Sequence, residues 1–200
     1  MKNDSTENEI LKAAKEIFHL KGMEGTRMQE IADKANINKA MLHYYYKNKE
    51  VLFNAVFKSA FNMLAPQLNT ILNDESDLFT KIQNFTSSYI SFVIEHPYIP
   101  NFVIQEINRN PEFIIKLKTQ ENFPSLSKFK IQVEEAIENK VIKPISAESL
   151  FINIMSLNIF PFIGRPLLSA LINVEESDYD KLLQNRKKEV ASFIINSITK

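Results

Sequence analysis

The chain has 200 residues, of which 44% are hydrophobic and 24% are charged, and its 24 basic and 24 acidic side chains leave it with no formal net charge. This length and composition suffice for a buried core in one compact body, or in a small head with a larger body. Neutrality excludes nucleic-acid binding by bulk attraction, so such a contact requires a local positive patch.

Two absences narrow the class of protein further. The chain has no cysteine, which excludes a disulfide framework and a thiolate metal site and fits a reducing cytoplasm. The N-terminal residues are polar, and the longest apolar run, about residues 157–163, is too short to cross a bilayer. We therefore expect a cytoplasmic protein without a signal peptide or a membrane span.

The first predicted helix begins at a capping box formed by Thr6 and Glu9. An apolar stripe at helical spacing follows it, and Gly22 is expected to end the helix. The stripe consists of Ile10, Ala13, Ala14, Ile17 and Phe18.

The second helix is predicted to begin at Arg27, because Thr26 and Gln29 form another capping box. Its apolar face consists of Met28, Ile31, Ala32 and Ala35. The segment 36–38 then breaks the pattern, since asparagine tolerates turn geometry. Asn38 is expected to cap a third helix.

The third predicted helix carries polar and aromatic side chains on the face opposite its core side. Leu42, Tyr45 and Tyr46 share the inward face, which leaves the outward side to Ala40, His43 and Tyr44. From position 34 to 49 the chain has no acid and four lysines, namely Lys34, Lys39, Lys47 and Lys49. A local positive strip beside an exposed helix predicts salt-sensitive DNA binding.

At these residues the chain resembles the TetR family of bacterial transcriptional regulators. The resemblance runs over about the first quarter of the chain, through Ile10 to Phe18, Gly22, Gly25, Thr26, Ile31, Ala32, Ala35, Lys39, Leu42, Tyr45, Lys47, Lys49, Glu50 and Leu52. It implies a three-helix DNA-binding domain whose third helix enters the major groove, followed by a region that dimerises and often binds an effector. It also implies phosphate contacts by Thr26, Arg27, Lys39, His43, Tyr44 and Lys49, and base contacts by Ala40, Met41 and Tyr44.

The chain departs from the family pattern at three positions. Asn36 replaces the usual glycine of the turn and can adopt the same left-handed conformation. Ala40 stands where glycine is common, and His43 stands where the family usually has an aromatic residue. His43 and Met41 change the reading surface, so the operator sequence cannot be carried over from relatives.

The remainder is predicted to be helical, which makes the chain all-α, with a helix-turn-helix domain at 1–47 and an effector-binding and dimerisation domain at 48–200. Helix four should run from near Asn48 to about Leu64, with Pro66 interrupting it. Further helices are expected at 77–95, at about 125–139, from Ser146 and from Ser177, with shorter ones between the prolines at 100, 111 and 124.

Two inferences concern the second domain. Apolar side chains wrap too far round the last helix for one buried stripe, so we expect a homodimer, with a wholly intramolecular core as the alternative. The expected dimer interface is Leu150, Ile154, Leu157, Leu183, Val190, Ile194 and Ile198. An effector pocket, suggested by the family, is expected among Phe57, Phe61, Phe85, Tyr89, Phe92, Phe102, Ile104, Phe113, Phe129 and Phe160, although packing alone also explains such aromatic stripes.

The sequence therefore predicts a homodimeric, DNA-binding regulator, most simply a repressor released from a palindromic operator by a small molecule. No catalytic signature, cofactor or metal site is expected, because His19 and His96 lie far from each other and from any acid-rich cluster. One alternative is a helical ligand-binding or enzymatic bundle that does not bind DNA. A GxxG RNA clamp at residues 22–25 is a weaker alternative, because Glu24 would repel phosphate.

Overall fold

The structure is a computed structural model that describes residues 2–97, 99–109, 111–119 and 123–200, leaving out the side chains of residues 2–4, 19, 102, 106, 109, 113, 114, 116 and 117. Within these residues, helices account for all regular structure except one isolated bridge between Ile142 and Thr199. The predicted all-α class is confirmed. The helices are α1 (Lys2–Gly25), α2 (Met28–Lys34), α3 (Lys39–Tyr45), α4 (Lys49–Asn73), α5 (Leu78–Glu95), α6 (Ile99–Arg109), α7 (Pro111–Lys118), α8 (Ser127–Glu138), α9 (Ala147–Ile163), α10 (Arg165–Ile172) and α11 (Glu176–Ile198).

The chain divides into two compact units, Met1–Asn62 and Met63–Lys200. The whole apolar stripe predicted for α1 is buried in the first unit, as are Leu42 of α3 and Leu52 of α4. The rings of Phe18 and Phe53 meet edge to face with centroids 5.0 Å apart. The first turns of α4 therefore complete the core of the first unit, whereas a functional division between residues 47 and 48 stays a prediction.

Several predicted helix ends are wrong. α1 begins at Lys2 rather than at Thr6, whereas Gly22, the predicted end of the helix, does break it with non-helical dihedrals (φ 65°, ψ −179°) before one more short turn to Gly25. α2 begins at Met28, one residue later than predicted, because the Thr26 hydroxyl donates to the Gly22 carbonyl (2.6 Å) and does not cap the helix. α4 continues through Pro66 to Asn73, since a proline removes only one backbone donor and the surrounding turns remain hydrogen-bonded.

In the second unit, α5, α9 and α11 pack against one another and supply most of the core. Asp77 caps α5 by accepting from the backbone N–H groups of Phe79 (2.9 Å) and Thr80 (3.1 Å). Ser146 caps α9, which confirms the predicted start of that helix. α9 passes through Pro161 and ends before Gly164, where α10 begins.

Candidate nucleic-acid interface

The turn between α2 and α3 has the geometry predicted for it. Asn36 adopts a left-handed conformation with φ of 56°. The Asn38 side chain then caps α3, because its Oδ1 accepts from the Met41 N–H at 2.7 Å. Together these two asparagines fix where α3 starts and which of its faces points inward.

The two faces of α3 lie as predicted. Leu42 is fully buried, whereas Tyr44 is 80% and Met41 43% exposed. Ala40 and His43 are also exposed. This arrangement leaves a short row of exposed side chains, Ala40, Met41, His43 and Tyr44, free to contact a partner.

Tyr46 fastens the end of α3 to α1. Its side chain is buried, and its hydroxyl donates to Glu7 Oε1 at 2.9 Å. Burial and, secondarily, the Glu7 carboxylate raise the pKa of Tyr46 well above its ordinary value. The sequence predicts an inward Tyr46 but not Glu7, because nothing local connects two residues that are 39 positions apart.

The four lysines of the predicted positive strip have different surroundings. Lys39 and Lys47 are exposed and form no ion pair within the described part of the chain. Lys34 pairs with Glu16 of α1 at 2.6 Å, and this contact holds the pKa of Glu16 below its ordinary value. Although residues 34–49 include no acid, one of their four lysines is therefore paired with a carboxylate of α1.

Lys49 lies beside the loop between α1 and α2. Its ammonium donates to the carbonyl oxygens of Thr26 (3.1 Å) and Glu24 (3.4 Å). Since a lysine ammonium has three donors, one remains for an external acceptor. Lys49 therefore holds the loop in place as well as carrying charge.

The start of α2 differs from the predicted site. Thr26 is only 2% exposed and its hydroxyl is already donated to Gly22, so the predicted phosphate contact of this side chain is wrong. Arg27 is exposed, and its backbone N–H donates to Glu30 Oε2 at 3.2 Å. Lys21 also bonds Glu30, and this contact, with the Arg27 N–H second, lowers the pKa of Glu30.

The predicted dimer interface is wrong in its choice of face. Leu150, Ile154, Leu183, Val190, Ile194 and Ile198 are buried within one chain, and Leu157 is half-buried. The outer faces of α9, α10 and α11 instead expose Ile152, Phe160, Leu167, Leu171, Ile172, Leu182 and Phe193. α11 therefore does have two apolar faces, but the predicted residues belong to the inner one.

The aromatic side chains predicted to line a pocket mostly pack against other rings. Phe85 stacks on Tyr89 with centroids 6.0 Å apart, and Phe151 meets both Phe85 (5.8 Å) and Phe129 (6.0 Å) edge-on. Phe57 is buried in the first unit, Phe61 is half-buried there, and Phe92 is buried beside His96. Phe160 is exposed on α9, so its interior placement is wrong; Ile104 is half-buried, and the side chains of Phe102 and Phe113 lie outside the described residues.

One cavity lined by described residues measures about 380 Å³. Its floor is Val93, Phe162 and Leu183, and Arg165 and Asp180, 2.8 Å apart, lie at its rim. None of the predicted pocket residues lines it. The effector site therefore stays a prediction.

Neither a metal-binding cluster nor a single membrane-spanning helix occurs among the described residues. They contain no group of three or more His, Cys, Asp or Glu side chains placed to hold a metal ion. No single helix among them has the length and hydropathy of a membrane span. Only α9 and α10 taken together have that length and hydropathy, and a bend of 78° separates the two helices.

Comparison with known proteins gives a consistent result. Residues 10–56 match the family model described as bacterial regulatory proteins, tetR family. The chain is similar to the HTH-type transcriptional repressor NicS of Pseudomonas putida, with 28% identity over 195 residues that span 88% of this chain and 84% of NicS. It is similar in structure to HlyIIR, a hemolysin II transcriptional regulator, with a TM-score of 0.64, 25% identity and 98% of both chains covered.

A further structural likeness bears on the fold alone. A TetR-family transcriptional regulator from Haemophilus influenzae aligns over 100% of both chains with a TM-score of 0.63 and 16% identity. The motif spacing, the exposed face of α3 and the first two likenesses agree: residues 10–56 match the tetR family of bacterial regulatory proteins, and the chain as a whole is similar to HTH-type transcriptional regulators.

Proposed function

We propose that this protein is a transcriptional repressor that binds its operator by inserting α3 into the major groove. The observation that carries the proposal is the outward face of α3, where Met41 and Tyr44 stand exposed between two unpaired lysines, Lys39 and Lys47. A major groove admits a helix of this size, and lysines at its edges suit the flanking phosphates. Ala40, Met41 and Tyr44 are the proposed base contacts.

The remaining contacts are assigned to the DNA backbone. Lys39 and Lys47 supply charge without an acid partner that would compete for it within the described residues, and the exposed Arg27 adds a further charge although Glu30 lies near it. Lys49 adds its one uncommitted donor while it holds the Thr26 carbonyl. Phosphate contacts of this kind fix the position of a protein on the duplex and contribute equally on every sequence.

A homodimer is the proposed assembly, formed through the outer apolar faces of α9, α10 and α11. Phe193 is 65% and Ile152 62% exposed, and large side chains in such numbers on one unit mark an interaction surface. A two-fold axis through this surface would present two copies of α3, which matches a palindromic operator.

The second unit is the proposed receptor for a small-molecule effector. The cavity of about 380 Å³ beside Val93, Phe162 and Leu183 falls within the usual size of small-molecule sites. We also propose that the protein is not an enzyme and that it acts in the cytoplasm, where the chromosome lies. A thermal-shift screen should find compounds that stabilise the protein, and Leu183→Trp, which fills the cavity, should abolish the response.

DNA binding is tested with a 30-base-pair duplex selected by the protein from a randomised pool. Anisotropy titrations should show that Lys39→Ala and Lys47→Ala each lower the steepness of log affinity against log salt by about 0.9 per protomer, hence by about 1.8 for the dimer, on selected and scrambled duplexes alike. Tyr44→Ala should narrow the affinity ratio between the two duplexes. Lys58→Ala, which removes an exposed lysine of α4, is the matched control and should leave slope and ratio unchanged.

Failure of the wild-type protein to select any duplex would support the alternative, a helical ligand-binding bundle that does not bind DNA.

The dimer is tested separately by sedimentation. Phe193→Glu should give a monomer, whereas Lys188→Glu, about 140° around α11 from Phe193, should leave the dimer intact. Equal behaviour of both variants would refute the proposed surface.

A further inference from the structure

His43 occupies a distinctive place on the proposed DNA-binding face. It follows Lys39 by four residues, a spacing that puts these two side chains on one side of α3, and Lys47 lies two residues beyond the end of that helix. Its side chain is exposed, and its Nδ1 lies 3.1 Å from the Lys47 carbonyl oxygen. Its other ring nitrogen, Nε2, has no hydrogen-bond partner among the described residues.

The contact with the Lys47 carbonyl decides which ring nitrogen carries the proton. A carbonyl oxygen only accepts hydrogen bonds, so Nδ1 must be the donor. In the neutral ring Nε2 then has a lone pair and no hydrogen. Phosphate oxygens at neutral pH also act as acceptors, so neutral His43 cannot donate to a phosphate without giving up Lys47.

The imidazolium form has no such conflict. With a hydrogen on each nitrogen, it can donate to Lys47 through Nδ1 and to a phosphate through Nε2. We propose that His43 contacts a DNA phosphate as an imidazolium, so that DNA binding takes up a proton at His43. The inference rests on the proposed DNA-binding function and couples DNA binding to proton uptake.

The charged groups around His43 agree with this proposal. The phosphates of DNA favour a positive charge at His43. The acids and bases of neighbouring elements have other partners: Lys21 for Glu30, Gln29 for Asp33, Glu16 for Lys34, Tyr46 for Glu7 and the Thr26 carbonyl for Lys49. Glu50, at the start of α4, is the remaining charged group nearby in the chain.

The sign of the effect follows from the proton count. The complex binds more protons than its separated components, so affinity should rise as pH falls from 8 to 6, by up to about one log unit per pH unit for each His43 and up to about two for the dimer. A charge-assisted hydrogen bond should make the total gain about tenfold for each His43 and about a hundredfold for the dimer. Because each imidazolium also neutralises a phosphate, the salt slope of the dimer should be steeper at pH 6 than at pH 8 by up to about 1.8.

The experiment measures affinity for the selected 30-base-pair duplex from pH 6 to 8 at constant ionic strength, with salt titrations at both ends. His43→Gln, which is always neutral, should lose most of the pH dependence and the extra salt slope. His43→Lys, which is always charged, should bind without pH dependence and as tightly at pH 8 as wild type does at pH 6. His96→Gln removes a histidine of the second unit and should behave as wild type.

Each outcome bears on one proposal. Equal pH dependence in wild type and His43→Gln would overturn the role of His43 and leave DNA binding intact. A wild-type affinity that falls with decreasing pH relative to His43→Gln would also overturn it, because neutral Nε2 would then be accepting from a base. Absence of salt-sensitive binding at every pH would refute the proposed function itself.

Discussion

Lys81 is a buried lysine whose replacement tests how the junction between α4 and α5 is stabilised. The residue is 1% exposed. Its ammonium donates to the carbonyl oxygens of Leu72 and Asp74, both at 3.0 Å, and lies 3.4 Å from Asp74 Oδ1. Leu72 is in the last turn of α4, where carbonyls lack intrahelical donors, so Lys81 acts as a C-terminal cap supplied by the next helix.

Lys81→Met keeps the length of the aliphatic stem and removes the charge. Two carbonyl oxygens lose their donor, at about 1 to 3 kcal/mol for each one that stays buried. Loss of the desolvation cost of the ammonium offsets part of this. We expect the free energy of unfolding to fall by about 2 kcal/mol, and the melting temperature by roughly 4 to 8 °C for a chain of this size.

Guanidinium denaturation followed by circular dichroism measures the change, with Lys128→Met as the matched control. Lys128 pairs with Glu75, whose side chain is 93% exposed, so this variant should lose less than about 1 kcal/mol. A Lys81→Met protein as stable as Lys128→Met would refute the reasoning, because it would show that burial of the ammonium costs as much as its three contacts contribute.

Three further perturbations test other parts of the structure. Hydrogen bonds from the hydroxyl of Thr80, and secondarily from backbone N–H groups, lower the pKa of Asp77 in the folded protein. The Asp77 carboxylate therefore stabilises the fold at pH values above its pKa in the unfolded chain, and this contribution is lost as the pH falls below about 4. Asp77→Asn should make the free energy of unfolding less dependent on pH in that range. Asn38→Ala should cost about 1 kcal/mol of stability in urea titrations and weaken DNA binding, because α3 loses its cap. Gly22→Ala should lower the thermal midpoint by the equivalent of about 1 to 3 kcal/mol, since φ is 65° and ψ is −179° there, whereas Gly25→Ala should cost less because its φ is ordinary.

The first unit could be predicted well because its signals are local. Helical spacing in α1, the turn at Asn36 and the cap at Asn38 each involve residues within a few positions of one another. The same locality explains the error at Thr26. Thr26 and Gln29 match a capping box, but Arg27 is the N-cap and Glu30 accepts its backbone N–H, because the kink at Gly22 brings a carbonyl oxygen to the Thr26 hydroxyl.

The second unit was predicted less well because its decisive contacts are between distant residues. Periodicity shows that α11 has two apolar faces but not which one the rest of the chain covers, and the buried face proved to be that of Leu183 and Ile194. Hydrogen bonds between buried polar groups are equally hard to predict from the sequence. Asn158 and Thr86 are fully buried, with 3.4 Å between Nδ2 and Oγ1, although they are 72 positions apart.

The geometry of the DNA-binding face is ultimately set by α1. α3 has only seven residues, and a helix this short is not stable in water without tertiary contacts. Leu42 fixes its rotation by burial, and the hydroxyl of Tyr46 fixes its end by donating to Glu7. A change at Glu7 should therefore alter DNA recognition without removing any side chain from the exposed face of α3. The residues proposed to contact DNA and the residues that fix their orientation are therefore on different helices.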